Sequence, residues 1–140
     1  MSRVLSVFLA ILAFFTLQTL AAGTCTITST ADPSAPTATV SVENSEFKPD
    51  CLSVYDGQYV EWVWVENGRH TVTSNAGPFG DCNGGQSPVM KINAKGQKKG
   101  DKVTSPKAFT YNAKQPEFDY KCFYHCDSDM AGKIEILPKK

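Results

Sequence analysis

Between Cys122 and Met130 the chain reads Cys-Phe-Tyr-His-Cys-Asp-Ser-Asp-Met, which places a thiol, an imidazole and a thioether on one short segment. A thiolate and two imidazoles in a trigonal set, with a thioether as weak axial donor, suit copper in a redox role. Thiolate and thioether favour Cu(I), whereas imidazole accommodates Cu(II). A site that suits both states imperfectly changes oxidation state with little movement of its ligands. The second imidazole must come from outside the segment, and His70 is the other of the chain's 2 histidines. The candidate ligands of one copper ion are therefore His70, Cys122, His125 and Met130. A Cys-x-x-His pair alone arises by chance in many chains, and a structural zinc site would need more Cys or His in paired spacing. Met130 five positions beyond His125, with a single upstream histidine in an extended stretch, makes the pattern far more specific.

The elements that must hold these residues read as β throughout. Thr39 to Val42 forms a short strand, and the turn at Phe47-Lys48-Pro49-Asp50 leads into Cys51 to Val54. Asp56-Gly57 marks a turn. Gln58 to Val65 is β-branched and aromatic, with Val60, Trp62 and Trp64 on one face as core. After a turn at Asn67-Gly68, His70 to Ser74 continues extended. Asn75 to Gly85 is glycine-rich and irregular. Ala108 to Tyr111, Phe118 to Cys122 and Gly132 to Ile136 are further strands, so the copper segment lies between the last two. There is no long amphipathic helix, repeat or low-complexity tract. Many short strands separated by turns indicate an all-β sandwich or barrel.

Cys-x2-His-x4-Met-x-Gly followed by a terminal strand resembles the C-terminal copper loop of plastocyanin-like cupredoxins. Phe47-Lys48-Pro49, Leu52-Ser53-Val54, Gly57 to Trp62 and His70-Thr71-Val72 resemble the part of that family that delivers the first histidine. The resemblance covers residues 38 to 137. It implies a Greek-key β-sandwich with little or no helix, and a one-electron carrier as function. It also implies equatorial nitrogen ligands at His70 and His125, a short thiolate bond from Cys122 and an axial thioether from Met130. Backbone amides reaching the Cys122 sulfur would stabilise the thiolate, and an apolar rim drawn from Phe123, Tyr124, Pro78 and Phe79 would favour the reduced state, a solvated loop with no redox role being the other reading of Pro78 and Phe79. The exposed edge of His125 would be the electron port.

Cys126 directly after His125, and Cys82 in Gly80-Asp81-Cys82-Asn83, resemble the phytocyanin branch, where these positions form a disulfide beside the metal. The resemblance implies a Cys82–Cys126 bridge, leaves Cys25 and Cys51 for a second, and keeps Cys122 free. By themselves, four cysteines allow three pairings. Two departures stand out. Many relatives carry Gly before the axial Met, where this chain has Asp129. Asp tolerates left-handed backbone better than most residues, and a carboxylate near the metal would lower the potential. Phytocyanins also space Cys and His more widely than Cys122 and His125, so no subfamily is assigned.

Length and composition bound the rest. With 140 residues the chain has room for one domain. Arg3, an apolar run from Val4 to Phe15 broken only by Ser6, and small residues at Ala21-Ala22-Gly23 read as a signal peptide over residues 1–23. The run is shorter than the roughly 20 residues of a spanning helix. An extension at 24–37, tied by Cys25, then precedes a cupredoxin-like domain at 38–140. The terminal Ile134-Glu135-Ile136-Leu137-Pro138-Lys139-Lys140 carries no hydrophobic tail, so a secreted, monomeric protein without a membrane anchor is expected. The compartment could also be a periplasm or lumen. All 5 cysteines follow the leader, and export brings them where disulfides persist.

Loss of Arg3 leaves 13 basic against 14 acidic residues, which gives no electrostatic reason to expect nucleic acid. Lys91, Lys95, Lys98, Lys99, Lys102 and Lys107 cluster with only Asp101 among them. They suit a solvated edge strand, with a docking patch for an acidic redox partner as the other reading. Nothing points to an enzyme: there is one site and its positions look filled. A redox protein partner is expected. The rivals to electron transfer are a copper carrier or buffer and a structural cupredoxin-like module.

Overall fold

Alternation of side chains decides most of the architecture. In Thr37–Glu43 (β2) and Tyr59–Trp64 (β5), Val40, Val42, Val60, Trp62 and Trp64 all turn inward and are fully buried. The chain is described here by a computed structural model over residues 25–139, so the expected signal peptide lies outside the described residues. The other strands are Ser29–Thr30 (β1), Glu46–Lys48 (β3), Cys51–Tyr55 (β4), His70–Asn75 (β6), Asn93–Gly96 (β7), Lys102–Thr104 (β8), Glu117–Lys121 (β9) and Ala131–Leu137 (β10). They form a six-stranded sheet, β1-β4-β10-β9-β6-β7, and a four-stranded sheet, β3-β2-β5-β8. The helical structure among the described residues is one 3-10 turn, Cys126–Ser128. This is the all-β sandwich that the sequence led us to expect. Among the described residues no helix is long and apolar enough to cross a membrane.

The core lies between the sheets. Tyr120 of β9 meets Phe47 of β3 and Trp62 of β5 edge-on, at centroid distances of 4.8 and 5.2 Å. Phe118 packs on Phe109 in the same way at 5.3 Å. Burying each such side chain stabilises the fold by about 1.5–3 kcal/mol. Where backbones approach rings, glycine is required. A Cβ on Gly132 of β10 would overlap the Tyr120 ring, and one on Gly96 of β7 would overlap Trp64.

One expected strand is absent. Residues 108–111 make no ladder. Instead Phe109 is fully buried, its amide donates to the Gln58 carbonyl at 2.8 Å, and its carbonyl accepts from Gly57 at 2.9 Å. The Tyr111 amide donates to the Asp56 carboxylate at 2.9 Å. The segment's hydrogen bonds therefore go to the Asp56-Gly57 turn rather than to a neighbouring strand. That turn does not close a hairpin either, because β4 and β5 belong to different sheets. Gly57 makes it possible by adopting φ +92°.

Two of the six clustered lysines stand on strands at sheet edges. β7 and β8 are edge strands, carrying Lys95 and Lys102, and all six lysines are exposed. Lys102 pairs with Glu61 at 3.1 Å. Lysines on open edges block sheet-to-sheet association, so the edge-strand reading has a structural basis.

Candidate metal centre

The register of two strands brings the candidate ligands to one end of the sandwich. β6 opens with His70 and pairs with β9, Thr73 lying opposite Lys121. Cys122 follows directly on Lys121. Beyond it, residues 122–130 are closed by their own amides. His125 donates to the Cys122 carbonyl at 3.3 Å, Cys122 to the Met130 carbonyl at 3.0 Å, and Met130 to the His125 carbonyl at 3.1 Å. Asp129 ends the 3-10 turn at φ 62° and donates to the Cys126 carbonyl at 2.9 Å. The left-handed conformation expected to be tolerable for Asp is the one this residue adopts.

The Cys122 sulfur stands 4.0 Å from His70 Nδ1 and 3.5 Å from His125 Nδ1, and the two imidazole centroids are 4.9 Å apart. A metal about 2.0–2.1 Å from nitrogen and about 2.3 Å from sulfur, at angles between tetrahedral and trigonal, would separate those atoms by about 3.6–3.8 Å. The observed spacing fits a first-row metal, and the softness of the donors favours copper. Met130 is fully buried in the same apolar cluster as Cys122. His70 is buried and His125 half-buried.

Several neighbours shape the site. Thr71, next to His70, aims its amide at the Cys122 sulfur at 3.4 Å, as expected of a thiolate ligand. Its hydroxyl accepts from the Phe123 amide at 2.7 Å. Gly68 leaves room for the His70 ring, since a Cβ there would lie 2.6 Å from Nε2. Burial, and then the neighbouring His125, pushes the His70 imidazole below its usual pKa, against a smaller opposing pull from Glu66. The neutral imidazole so favoured is the form whose lone pair can bind a metal.

Phe123, beside Cys122 in sequence, is 72% exposed and presents an apolar surface. Arg69 lies over the Tyr124 ring, 4.1 Å from its centroid, and donates to the Tyr124 hydroxyl at 2.6 Å. Phe79 borders a cavity with Ser128 and Asp129 of the ligand segment. The Pro78 carbonyl instead accepts from Asp81 and Asn75 within its own loop.

The cysteines pair as the resemblance implied: Cys25 with Cys51, Cys82 with Cys126, and Cys122 free and buried. Sequence reading missed Thr71 and Lys121. Adjacency to His70 was the available signal for Thr71. A lysine before Cys122 gave none, because it reads as solvent-facing.

Fold and geometry together describe a cupredoxin-type β-sandwich in which the donor atoms of His70, Cys122 and His125 cluster. Among solved structures the chain is similar to amicyanins. It is 22% identical to the Cu(I) form of an alanine-for-methionine mutant of amicyanin, covering 74% of this chain and 84% of that one at TM-score 0.51. Against a reduced tyrosine-for-tryptophan mutant of amicyanin the identity is 21%, the coverage 73% and 83%, and the TM-score 0.51. At this identity the likeness establishes the fold. No family model and no curated protein matches the chain.

Proposed function

We propose that the chain is an exported type 1 copper protein that carries single electrons to and from a redox protein partner. His70, Cys122 and His125 would be the equatorial ligands and Met130 the axial one. The observation that carries this reading is Cys122: the one cysteine left unpaired among the described residues is buried, with an imidazole nitrogen on each side within 4.0 Å. A copper ion bound there would supply the one-electron Cu(I)/Cu(II) couple.

The chain's own part is to hold the donors still. β6 fixes His70, the amide-closed segment fixes Cys122, His125 and Met130, and the Thr71 amide bears on the sulfur. Burial of His70, Cys122 and Met130 keeps water away, while half-buried His125 leaves an edge at the surface. Amicyanin structures in a Cu(I) form share the fold, and two disulfides suit an oxidising compartment.

The test is the absorption spectrum of the Cu(II)-loaded protein. An intense thiolate-to-copper band toward the red end, lost in Cys122→Ser, is expected. A protein that stays colourless with Cu(II) yet retains Cu(I) would be a copper carrier instead.

A further inference from the structure

Lys121 takes no part in the ligand set, yet it is only 5% exposed. It stands on β9 immediately before Cys122, and alternation along a strand sends neighbouring side chains to opposite faces of the sheet. On its own face the irregular segment 75–85 closes over it. The ammonium donates to the carbonyls of Cys82 at 2.7 Å, Gly84 at 3.0 Å and Asp81 at 3.4 Å, and to Asn75 Oδ1 at 3.4 Å. No carboxylate pairs with it among the described ion pairs. A buried ammonium is costly unless its donors are satisfied, and here three N–H groups face four oxygens.

The cage is braced from within. Asn75, itself buried, donates through Nδ2 to the carbonyls of Asp81 at 2.9 Å and Pro78 at 3.4 Å. The Ala76 amide donates to Gly85 at 2.7 Å. A Cβ on Gly84 would overlap Asn75 Oδ1. The segment thus wraps the ammonium much as a loop wraps a metal cation. The shortest of the four contacts comes from Cys82, whose sulfur is bonded to Cys126, the residue after His125.

We propose that Lys121 is a positioning residue. Its seated ammonium shapes the 75–85 loop so that Cys82 meets Cys126 behind the ligand segment, and its fixed charge beside the Cys122 strand end favours the reduced site. The charge effect rests on the copper reading above; the loop effect does not.

The test compares Lys121→Met, which removes the charge and keeps the stem, with Asn75→Ala, which loosens the cage and keeps the charge. Reduced, metal-free protein is refolded with oxidised glutathione, which takes two electrons and two protons from the Cys82 and Cys126 thiols and leaves as two reduced glutathione molecules. Mass mapping follows the bridge. Both variants should form it about tenfold more slowly than the parent, given the loss of charge-assisted or buried hydrogen bonds. With the bridge formed and copper loaded, Lys121→Met should show a lower reduction potential and Asn75→Ala an unchanged one. Parental pairing rates in both variants would overturn the proposal, as would an unchanged potential in Lys121→Met or an equal fall in both. If Lys121→Met does not fold, Asn75→Ala decides the loop effect. A protein that takes up no copper overturns the copper reading, and the pairing rates then judge Lys121 alone.

Discussion

Thr71 and Cys122 are joined across two strands: the Thr71 amide points at the Cys122 sulfur at 3.4 Å, while the Thr71 hydroxyl accepts from Phe123, the next residue, at 2.7 Å. One residue of β6 thereby fixes both the sulfur and the chain just beyond it. Thr71 is buried, and its hydroxyl also accepts from the Thr73 hydroxyl at 3.1 Å. Replacing it by isosteric Val would leave the Phe123 amide without this partner, a loss worth about 1–3 kcal/mol. Urea denaturation of metal-free Thr71→Val should show a lower midpoint at an unchanged slope. A midpoint equal to the parent's would mean that water replaces the hydroxyl.

Asp129 offers a stabilising substitution. At φ 62° it holds a conformation that glycine adopts without steric cost, and its side chain is exposed. Asp129→Gly should be neutral or more stable by up to about 1 kcal/mol, whereas Asp129→Ala should lose about 1 kcal/mol, because a Cβ without a local polar bond suffers most there. Paired thermal melts give the ordering. Alanine equal to glycine would show that backbone conformation is not what the position selects.

Much of the fold was legible because the signal was alternation with strong residue types. Val60, Trp62 and Trp64 read as one inward face and are all fully buried. The candidate ligands were legible because thiol, imidazole and thioether are rare and lay close together in sequence. Ala108 to Tyr111 alternated equally well, yet bonds the Asp56-Gly57 turn, since alternation reports which side chains are buried and not where amides find partners. Phe123 was legible as apolar, but its 72% exposure depends on neighbours that sequence does not name. Lys121 was illegible for the opposite reason: only tertiary structure brings the carbonyls of 81, 82 and 84 around it.

Gly96 shows how the core constrains the strand beside His70. It lies opposite His70 in the β6–β7 ladder, and an added Cβ would overlap the Trp64 ring. Trp64 is fully buried and cannot retreat without disturbing the core. Gly96→Ala should cost about 1–3 kcal/mol, the usual range for overpacking. Hydrogen exchange should be faster at amides of β6 and β7 than elsewhere in the same sheet. If protection fell evenly across both sheets, the strain would be spread through the whole core.

Asp119 gives the fold a pH dependence of definite sign. Burial raises its carboxyl above the ordinary 3.8, with Lys133 opposing the shift and Glu117 adding to it. Its Oδ1 accepts no hydrogen bond, and the Lys133 ammonium is 3.9 Å away. Because the folded-state pKa lies above the unfolded one, the folded chain binds more protons than the unfolded chain at pH values between the two. Stability contributed by Asp119 therefore falls as pH rises through that window, and the loss is complete above the folded pKa. Asp119→Asn removes the titration while keeping the shape. Urea midpoints measured from the acid side of 3.8 up to neutral pH should show the variant gaining on the parent as pH rises, then holding a constant lead. Because the side chain keeps some contact with solvent and Lys133 lies near, the lead should be modest. A difference that stays flat through the window would place the folded pKa at its ordinary value and remove burial as a cost at this position.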